Sequence, residues 1–467
     1  MTFDDFLIQV EKVANNFKNI DKKTVFRVIS HLDADGITSA AIIVNALKRL
    51  KFVHHLSIVK QLSEEVLEEL SKEEYTYYIF TDLGSGQFDL IKKYLEGKNT
   101  LILDHHEFDQ SVLDDAPKNM IMLNPHSYDI DGSNDISGAG VVYFFTEKLN
   151  LENKDHAHLA IIGAIGDVQE NNGFSYINKQ ILDTAVNNNL IKVIKDINWF
   201  GIETKPLVKL LNFSNEFEIP DVSGSESSAV MFLESIGVPA RLNNEWIKYS
   251  ELNDDQKKTL VSSILMKRKN LENAQDIFAD KYLINHQEQG TPFRDVKEFS
   301  TLLNACGRMD KATIGVGACL NDKDSKELAL KTLEEYRQEI VSALRWYESN
   351  KDSENVIFAD KYIIINANND VRSTIIGTLG SIISNNKDLN DRTIILSMAN
   401  DEDQIKVSIR VKGEHEDIDL REIINKILET VEGAGGGHKN AAGAILPKSS
   451  EKEFFETAKQ ILENLSV

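Results

Sequence analysis

Three apolar runs early in the chain each stop at a group of acidic or imidazole side chains. Thr24–Ser30 (TVFRVIS) runs into His31-Leu32-Asp33-Ala34-Asp35-Gly36, YYIFT runs into Asp82, and NTLIL runs into Asp104-His105-His106. Helical stretches separate them, beginning with Ile37–Leu50, and a further strand, MIML, follows. Strands that alternate with helices pair in parallel, because each helix carries the chain back to the edge from which it started. A sheet covered on both faces also explains why these runs are continuously apolar. In an open parallel sheet the loops after the strands converge on one crevice. The pattern therefore predicts an α/β fold in which the three motifs meet. Helices are expected over Gly138–Leu149 and Ala157–Gly166, the second ending near Asp167, whose carboxylate would reach the same place.

A chain of 467 residues needs more than one core. The first domain is expected over residues 1–195. From 196 to about 300 the pattern turns helical and irregular, punctuated by SGSES, LNDDQKK and QEQGTP, and 196–320 is read as a middle region. Asp324–Ser349 is apolar at helical intervals, which predicts a long connector within 321–350. KYIIINA, TIILSMA and QIKVSIRV read as strands, with helices near 371–385, 419–431 and 450–464, giving a smaller α/β domain over 351–467. The hexapeptide IFADKY occurs at Ile277–Tyr282 and Ile357–Tyr362; it is read as a shared way of entering an edge strand rather than as a duplication.

Like charges a few ångströms apart oppose each other's ionisation. A crevice holding His31, Asp33, Asp35, Asp82, Asp104, His105, His106 and Asp167 therefore calls for cations. Oxygen-rich ligation with an imidazole or two suits Mn2+ or Mg2+, and the two cysteines, Cys306 and Cys319, leave no thiolate cage. Carboxylates from separate strand ends, one of them bridging, suit two ions about 3.5–4 Å apart, the arrangement that cleaves phosphate esters. Singly, each motif has an ordinary explanation; Asp35 before Gly36 reads as a helix cap. Jointly, no core needs so many charges.

A second signal lies in GAGGGHKNAAG, from Gly433 to Gly443. It reads as a loop in which Gly436 and Gly437 free backbone N–H groups for an anion, with His438 alongside. Arg410 on KVSIRV and Arg372 at a helix start would complete a phosphate-gripping face. The net charge of −22 excludes a protein that coats nucleic acid by bulk electrostatics, but not an enzyme with a local groove. The N-terminal segment reads as an acidic amphipathic helix, and no apolar run approaches the roughly 20 residues of a membrane span. The expectation is a soluble, cytoplasmic protein with no membrane partner.

HLDADGITSAA, the DHH at 104–106 and GGGHKNAAGA together resemble the DHH phosphoesterases that carry a DHHA1 domain. Within them the chain is similar to RecJ-type exonucleases, most closely the archaeal RecJ-like nucleases; NPHSYDIDGSNDISGAG (124–140) and LNACGRMDKATIGVGACL (303–320) point the same way. The resemblance implies a parallel-sheet DHH domain, a helical or irregular middle region, a long connector helix and a smaller DHHA1-like domain. By position it implies Asp33, Asp35, Asp82, His105 and Asp167 as ligands of two divalent ions, Mn2+ ahead of Mg2+, with Asp82 bridging. His31 stands where bacterial RecJ carries aspartate. Asp104 would orient a histidine, His106 would face the scissile phosphate, and Arg308 and His438 would hold substrate phosphates. The chain lacks room for the extra C-terminal nucleic-acid-binding domain of bacterial RecJ.

The function so implied is a two-metal exonuclease on single strands, DNA ahead of RNA and 5′→3′ ahead of the reverse. It would release nucleoside 5′-monophosphates in DNA replication or repair, with the DHHA1-like domain closing a cleft too narrow for duplex. The alternatives are an oligoribonuclease or cyclic-dinucleotide phosphodiesterase, and a scaffold akin to the RecJ-derived helicase subunit. An active nuclease would still be able to dock on replication factors such as GINS.

Overall fold

The computed structural model describes residues 2–170, 173–214, 216–386, 388–413, 415 and 417–464. It divides into two compact units, Met1–Leu330 and Lys331–Val467.

The first unit opens with α1 (Phe3–Lys18), started by a reciprocal cap in which the Asp5 amide donates to the Thr2 hydroxyl and the Thr2 amide to the Asp5 carboxylate. A five-stranded sheet follows: β1 (Val25–His31), β2 (Val53–Val59), β3 (Tyr77–Thr81), β4 (Asn99–Leu103) and β5 (Met120–Leu123). Its order is β2-β1-β3-β4-β5 and every pair is parallel, as the alternation predicted. The connecting helices are α2 (Ala34–Arg49), α3 (Glu64–Ser71) and α4 (Phe88–Tyr94); α5 (Gly138–Leu149), α6 (Ala157–Gly166) and α7 (Tyr176–Asn187) come after β5. Because the chain leaves β1 for β2 on one side and returns to β3 on the other, the loops diverge between β1 and β3 and leave the crevice there. The two strand ends are tied across it by the Thr81 hydroxyl, which donates to Ser30 Oγ at 2.7 Å. Helix α2 has almost no polar face because α5 and α6 pack on it in addition to the sheet.

The irregular stretch is an insertion. The chain leaves β6 (Ile191–Ile197) and forms α8 (Leu207–Asn212), α9 (Glu226–Ser235), a hairpin of β7 (Arg241–Leu242) and β8 (Glu245–Trp246), and α10 (Asp254–Arg268). It then returns as β9 (Phe278–Ile284), antiparallel to β6. Between those strands Trp199, Phe217, Tyr249, Leu260 and Ile264 belong to a core of its own. Helices α11 (Val296–Arg308), α12 (Ala312–Cys319) and the long α13 (Lys323–Asn350) follow.

Glu298 of α11 is buried, accepting from the Glu203 amide at 2.9 Å and from the Thr204 hydroxyl. Burial pushes its carboxyl up to about 7. The folded state thus holds this proton more tightly than the unfolded chain, so stability falls as pH rises from about 4 towards 7. Glu298→Gln should flatten that slope and stabilise the protein at pH 8 by about 2–3 kcal/mol. Urea melts of both proteins between pH 5 and 8 check this; parallel pH curves would refute it.

The second unit carries a six-stranded mixed sheet in the order β10-β11-β12-β13-β15-β14. The strands are β10 (Val356–Phe358), β11 (Tyr362–Asn366), β12 (Ile394–Asp401), β13 (Gln404–Val411), β14 (Ala434–His438) and β15 (Ala441–Pro447). Its helices are α14 (Ser373–Ser384), α15 (Leu420–Leu428) and α16 (Glu451–Asn464). Strand period two sends Ile405, Val407 and Ile409 into one core with α15 and α16, while Ser408 and Arg410 turn towards α14.

Two expectations are corrected here. The glycine-rich segment is not a loop: Ala434–His438 is an edge strand paired antiparallel with β15. The two IFADKY copies do not enter their strands in the same way either. In the first, Phe278–Tyr282 lies inside β9; in the second, the hexapeptide turns from β10 into β11. The local sequence is the same, and the pairing partners decide.

Candidate metal centre

The crevice between β1 and β3 collects the strand-end motifs. Asp33 caps α2, accepting from the Gly36 amide at 2.9 Å, and its other oxygen lies 2.8 Å from His31 Nδ1. Asp35, in the first turn of the same helix, is fully buried. It accepts from the Gly138 and Ala139 amides at 2.6 and 3.0 Å, so the N-terminus of α5 holds its carboxylate. Asp82 follows β3 in a left-handed conformation (φ 57), a costly one for a non-glycine residue. It is 1% exposed, and neither oxygen has a hydrogen-bond partner among the described residues.

His105 lies at the centre. Its Nδ1–H donates to the Gly132 carbonyl at 2.6 Å, so Nε2 is the ring nitrogen left to face the carboxylates. That atom lies 3.2 Å from Asp82 Oδ1, 3.3 Å from Asp167 Oδ2 and 3.7 Å from Asp35 Oδ2. Asp104 does not reach the cluster but orients its neighbours. It accepts from the Ser85 amide at 2.9 Å, from the His105 amide at 2.8 Å and from His106 Nδ1–H at 2.8 Å. Three overlapping groups of potential ligand atoms result: His31, Asp33 and Asp82; Asp82, His105 and His106; and Asp35, His105 and Asp167. Asp82 belongs to two of them, and so does His105.

The electrostatics ask for positive charge. Burial, then the Asp82 and Asp33 charges, push the Asp35 carboxyl up to about 8. Burial and Asp35 push Asp167 well above the carboxylate range. Burial works against protonation of His31 and His105, yet the surrounding carboxylates raise both well above the ordinary imidazole value. Against the upward pull of burial, His31 and the Gly36 amide hold Asp33 low. Without a cation the cluster must gather protons. Buried carboxylate oxygens and an imidazole nitrogen without hydrogen-bond partners among the described residues fit hard divalent cations, which would take the place of those protons.

Arg308 ends α11, and Asn304 of the same helix accepts from the Ala34 amide at 2.9 Å, so the NACGR segment abuts the loop of Asp33 and Asp35. In the second unit Arg372 sits at the N-cap of α14. Arg410 is half-buried: its Nε donates to Ser381 Oγ at 3.0 Å and its Nη1 to the Ile409 carbonyl at 2.7 Å. Strand register puts Arg410 opposite Ala441 and Ala441 opposite His438; Gly436 and Gly437 precede it in the same strand. The His438 side chain lies outside the described residues.

Three family models match in order along the chain: the DHH family N-terminal domain over residues 25–165, the DHH-CID domain over 199–277 and the DHHA1 domain over 360–464. An uncharacterised protein of Methanocaldococcus jannaschii is 31% identical over 98% of both chains. The chain belongs to the DHH family. RecJ from Thermus thermophilus, solved with Mn2+, superposes with a TM-score of 0.60 at 15% identity, over 98% of this DHH protein and 55% of that chain. This protein therefore spans about half the length of that RecJ. CDC45 from Entamoeba histolytica superposes with a TM-score of 0.65 at 12% identity, over 98% and 99% of the two chains. At these identities the likeness is one of fold. Members of the DHH superfamily are metal-dependent phosphoesterases.

Sequence reasoning missed the residues that seat the carboxylates in this DHH protein. A Cβ at Gly138 would fall 2.7 Å from Asp82 Oδ1 and 2.9 Å from Asp35 Oδ2, and one at Gly163 would fall 2.2 Å from Asp35 Oδ1. The signal was present at Gly163, inside the apolar helix α6, where glycine otherwise costs about 1 kcal/mol relative to alanine.

Proposed function

We propose that this protein is a two-metal exonuclease that hydrolyses phosphodiester bonds of single-stranded nucleic acid to nucleoside 5′-monophosphates. DNA is favoured over RNA, and 5′→3′ over the reverse. The observation that carries the reading is the buried Asp82, with no hydrogen-bond partner for either oxygen among the described residues, shared between two groups of potential ligand atoms and 3.2 Å from His105 Nε2. In this reading His31, Asp33, Asp35, Asp82, His105 and Asp167 hold two divalent ions, Mn2+ ahead of Mg2+. When bound, the ions supply a nucleophile at neutral pH and stabilise charge on the phosphoryl oxygens. Asp104 keeps His106 with Nδ1–H fixed and Nε2 as the acceptor, the state in which it can take or share a proton at the scissile group. Arg308 sits beside the metal loop, where a guanidinium can grip a phosphate in bidentate fashion.

Residues 1–195 supply the metals, 196–320 carry the NACGR motif, 321–350 connect, and 351–467 hold substrate through Arg372, Arg410, Gly436, Gly437 and His438. The same reading assigns the protein to DNA replication or repair, with GINS or other replication proteins as candidate partners. The scaffold reading gains no support from a ligand set as complete as this one.

End-labelled linear DNA and RNA strands, blunt duplex and closed circular single strands, incubated with Mn2+ or Mg2+, make the test. Mononucleotides should accumulate from linear single strands, with little action on duplex and none on circles. Rapid cleavage of the circle would overturn the exonuclease reading. Few phosphate contacts also imply a shallow salt dependence, about 0.7 in log–log slope for each phosphate neutralised.

A further inference from the structure

Behind the metal-facing edge of His105 runs a buried hydrogen-bond chain whose two amide side chains, Gln169 and Asn178, belong to none of the sequence motifs. The Gly132 carbonyl, which accepts from His105 Nδ1–H, also accepts from Gln169 Nε2 at 2.9 Å. Gln169 Oε1 in turn accepts from Asn178 Nδ2, on α7, at 2.8 Å. Gln169 is 4% exposed and Asn178 is fully buried. An amide so placed is costly unless its bonds are made, so the position of Gln169 is held firmly.

The carbonyl it grips has no regular element to hold it. Gly132 lies in the loop between β5 and α5, pressed so closely on the strand-end histidine that a Cβ there would fall 1.9 Å from His105 O and 2.8 Å from His126 Nε2. Gln169 arrives from the turn that ends α6. In that turn Val168, a β-branched residue, adopts φ 61, and its side chain is 61% exposed, so burial does not offset the strain. The left-handed step sends Asp167 into the carboxylate cluster and Gln169 onto Gly132, two residues with one target.

We propose that Gln169 is a positioning residue for His105. By pinning the Gly132 carbonyl it holds the imidazole in its Nδ1–H form, with the Nε2 lone pair presented to the cation. The inference rests on the two-ion reading and adds to it a residue that touches neither metal nor substrate. Without the amide, one lone pair of a buried carbonyl loses its donor, the Gly132 peptide is free to rotate, and the ring loses its fixed tautomer. Partners that orient a metal-bound histidine typically contribute 10–100-fold in metal affinity.

The test is calorimetric Mn2+ titration of the full chain as wild type, Gln169→Met, His105→Ala and the double variant, with folding checked by circular dichroism. Gln169→Met keeps the volume and removes the amide. It should weaken Mn2+ binding about 10–100-fold and reduce the imidazole-nitrogen coupling of bound Mn2+ in pulsed EPR. In the His105→Ala background it should cause no further loss, which a general structural role would not reproduce. Mn2+ affinity of Gln169→Met within about twofold of wild type, or losses that add in the double variant, would overturn the inference. Should Gln169→Met fail to fold, Asn178→Ala takes its place, with a smaller loss expected that again vanishes without His105. If His105→Ala itself leaves Mn2+ binding unchanged, the two-ion reading is what falls, so the two failures are told apart.

Discussion

Asp82→Ala should lower turnover on linear single-stranded DNA at saturating Mn2+ by about a thousandfold, or roughly 4 kcal/mol of transition-state stabilisation. Asp82 is the carboxylate that two ligand groups share, and no hydrogen bond from the described protein satisfies either of its oxygens. In the two-ion reading its removal would take a ligand from both ions, whereas Asp33 and Asp167 each belong to a single group. Calorimetry should show fewer Mn2+ ions bound per chain alongside the kinetic loss. Retention of more than about a tenth of wild-type turnover would sink the two-metal assignment.

Asp104→Asn should cost about 10²–10³ in kcat while leaving the number of bound Mn2+ ions unchanged. The carboxylate is fully buried and accepts from Ser85, from the His105 amide and from the His106 ring. Burial alone would raise its pKa; His106, His105 and the Ser85 amide together hold it below the usual range. An asparagine in the same place turns an NH2 towards one of those donors and removes the negative charge that favours Nδ1–H on His106, so the ring is held less firmly in that form. Single-turnover kinetics on a short oligonucleotide separate this loss from substrate binding, which should change little. Full activity in Asp104→Asn would remove His106 from the reaction.

The strand-end motifs were legible because their signal is local. A continuous apolar run followed by Asp or His needs no partner to be recognised, and period and length alone predicted α2, α5, α6 and the long α13 to within a few residues. The same holds for β11, β12 and β13 in the second unit. The insertion between β6 and β9 was not legible, because its core is assembled from short elements whose apolar residues follow no sustained period. Arg268 shows why: it is 1% exposed, accommodated by the carbonyls of Glu218, Asn273 and Ala274, acceptors that every residue carries and no sequence pattern marks.

By itself the sequence determined the family and the edge of the sheet at which the acidic and imidazole side chains gather. Carboxylates and imidazoles are recognisable wherever they stand, and a parallel sheet brings the ends of its strands to one edge. Tertiary structure decided how these side chains are held. Asp35 is seated by amides of α5 more than a hundred residues away, His105 takes its tautomer from a glycine carbonyl, and that carbonyl is gripped by Gln169. It also decided that GGGH is a strand and that one hexapeptide can be a strand in one place and a turn in another. The physical reason is the same in each case. Backbone amides and carbonyls are identical along the chain, so which of them faces a given side chain is set by packing and not by residue identity.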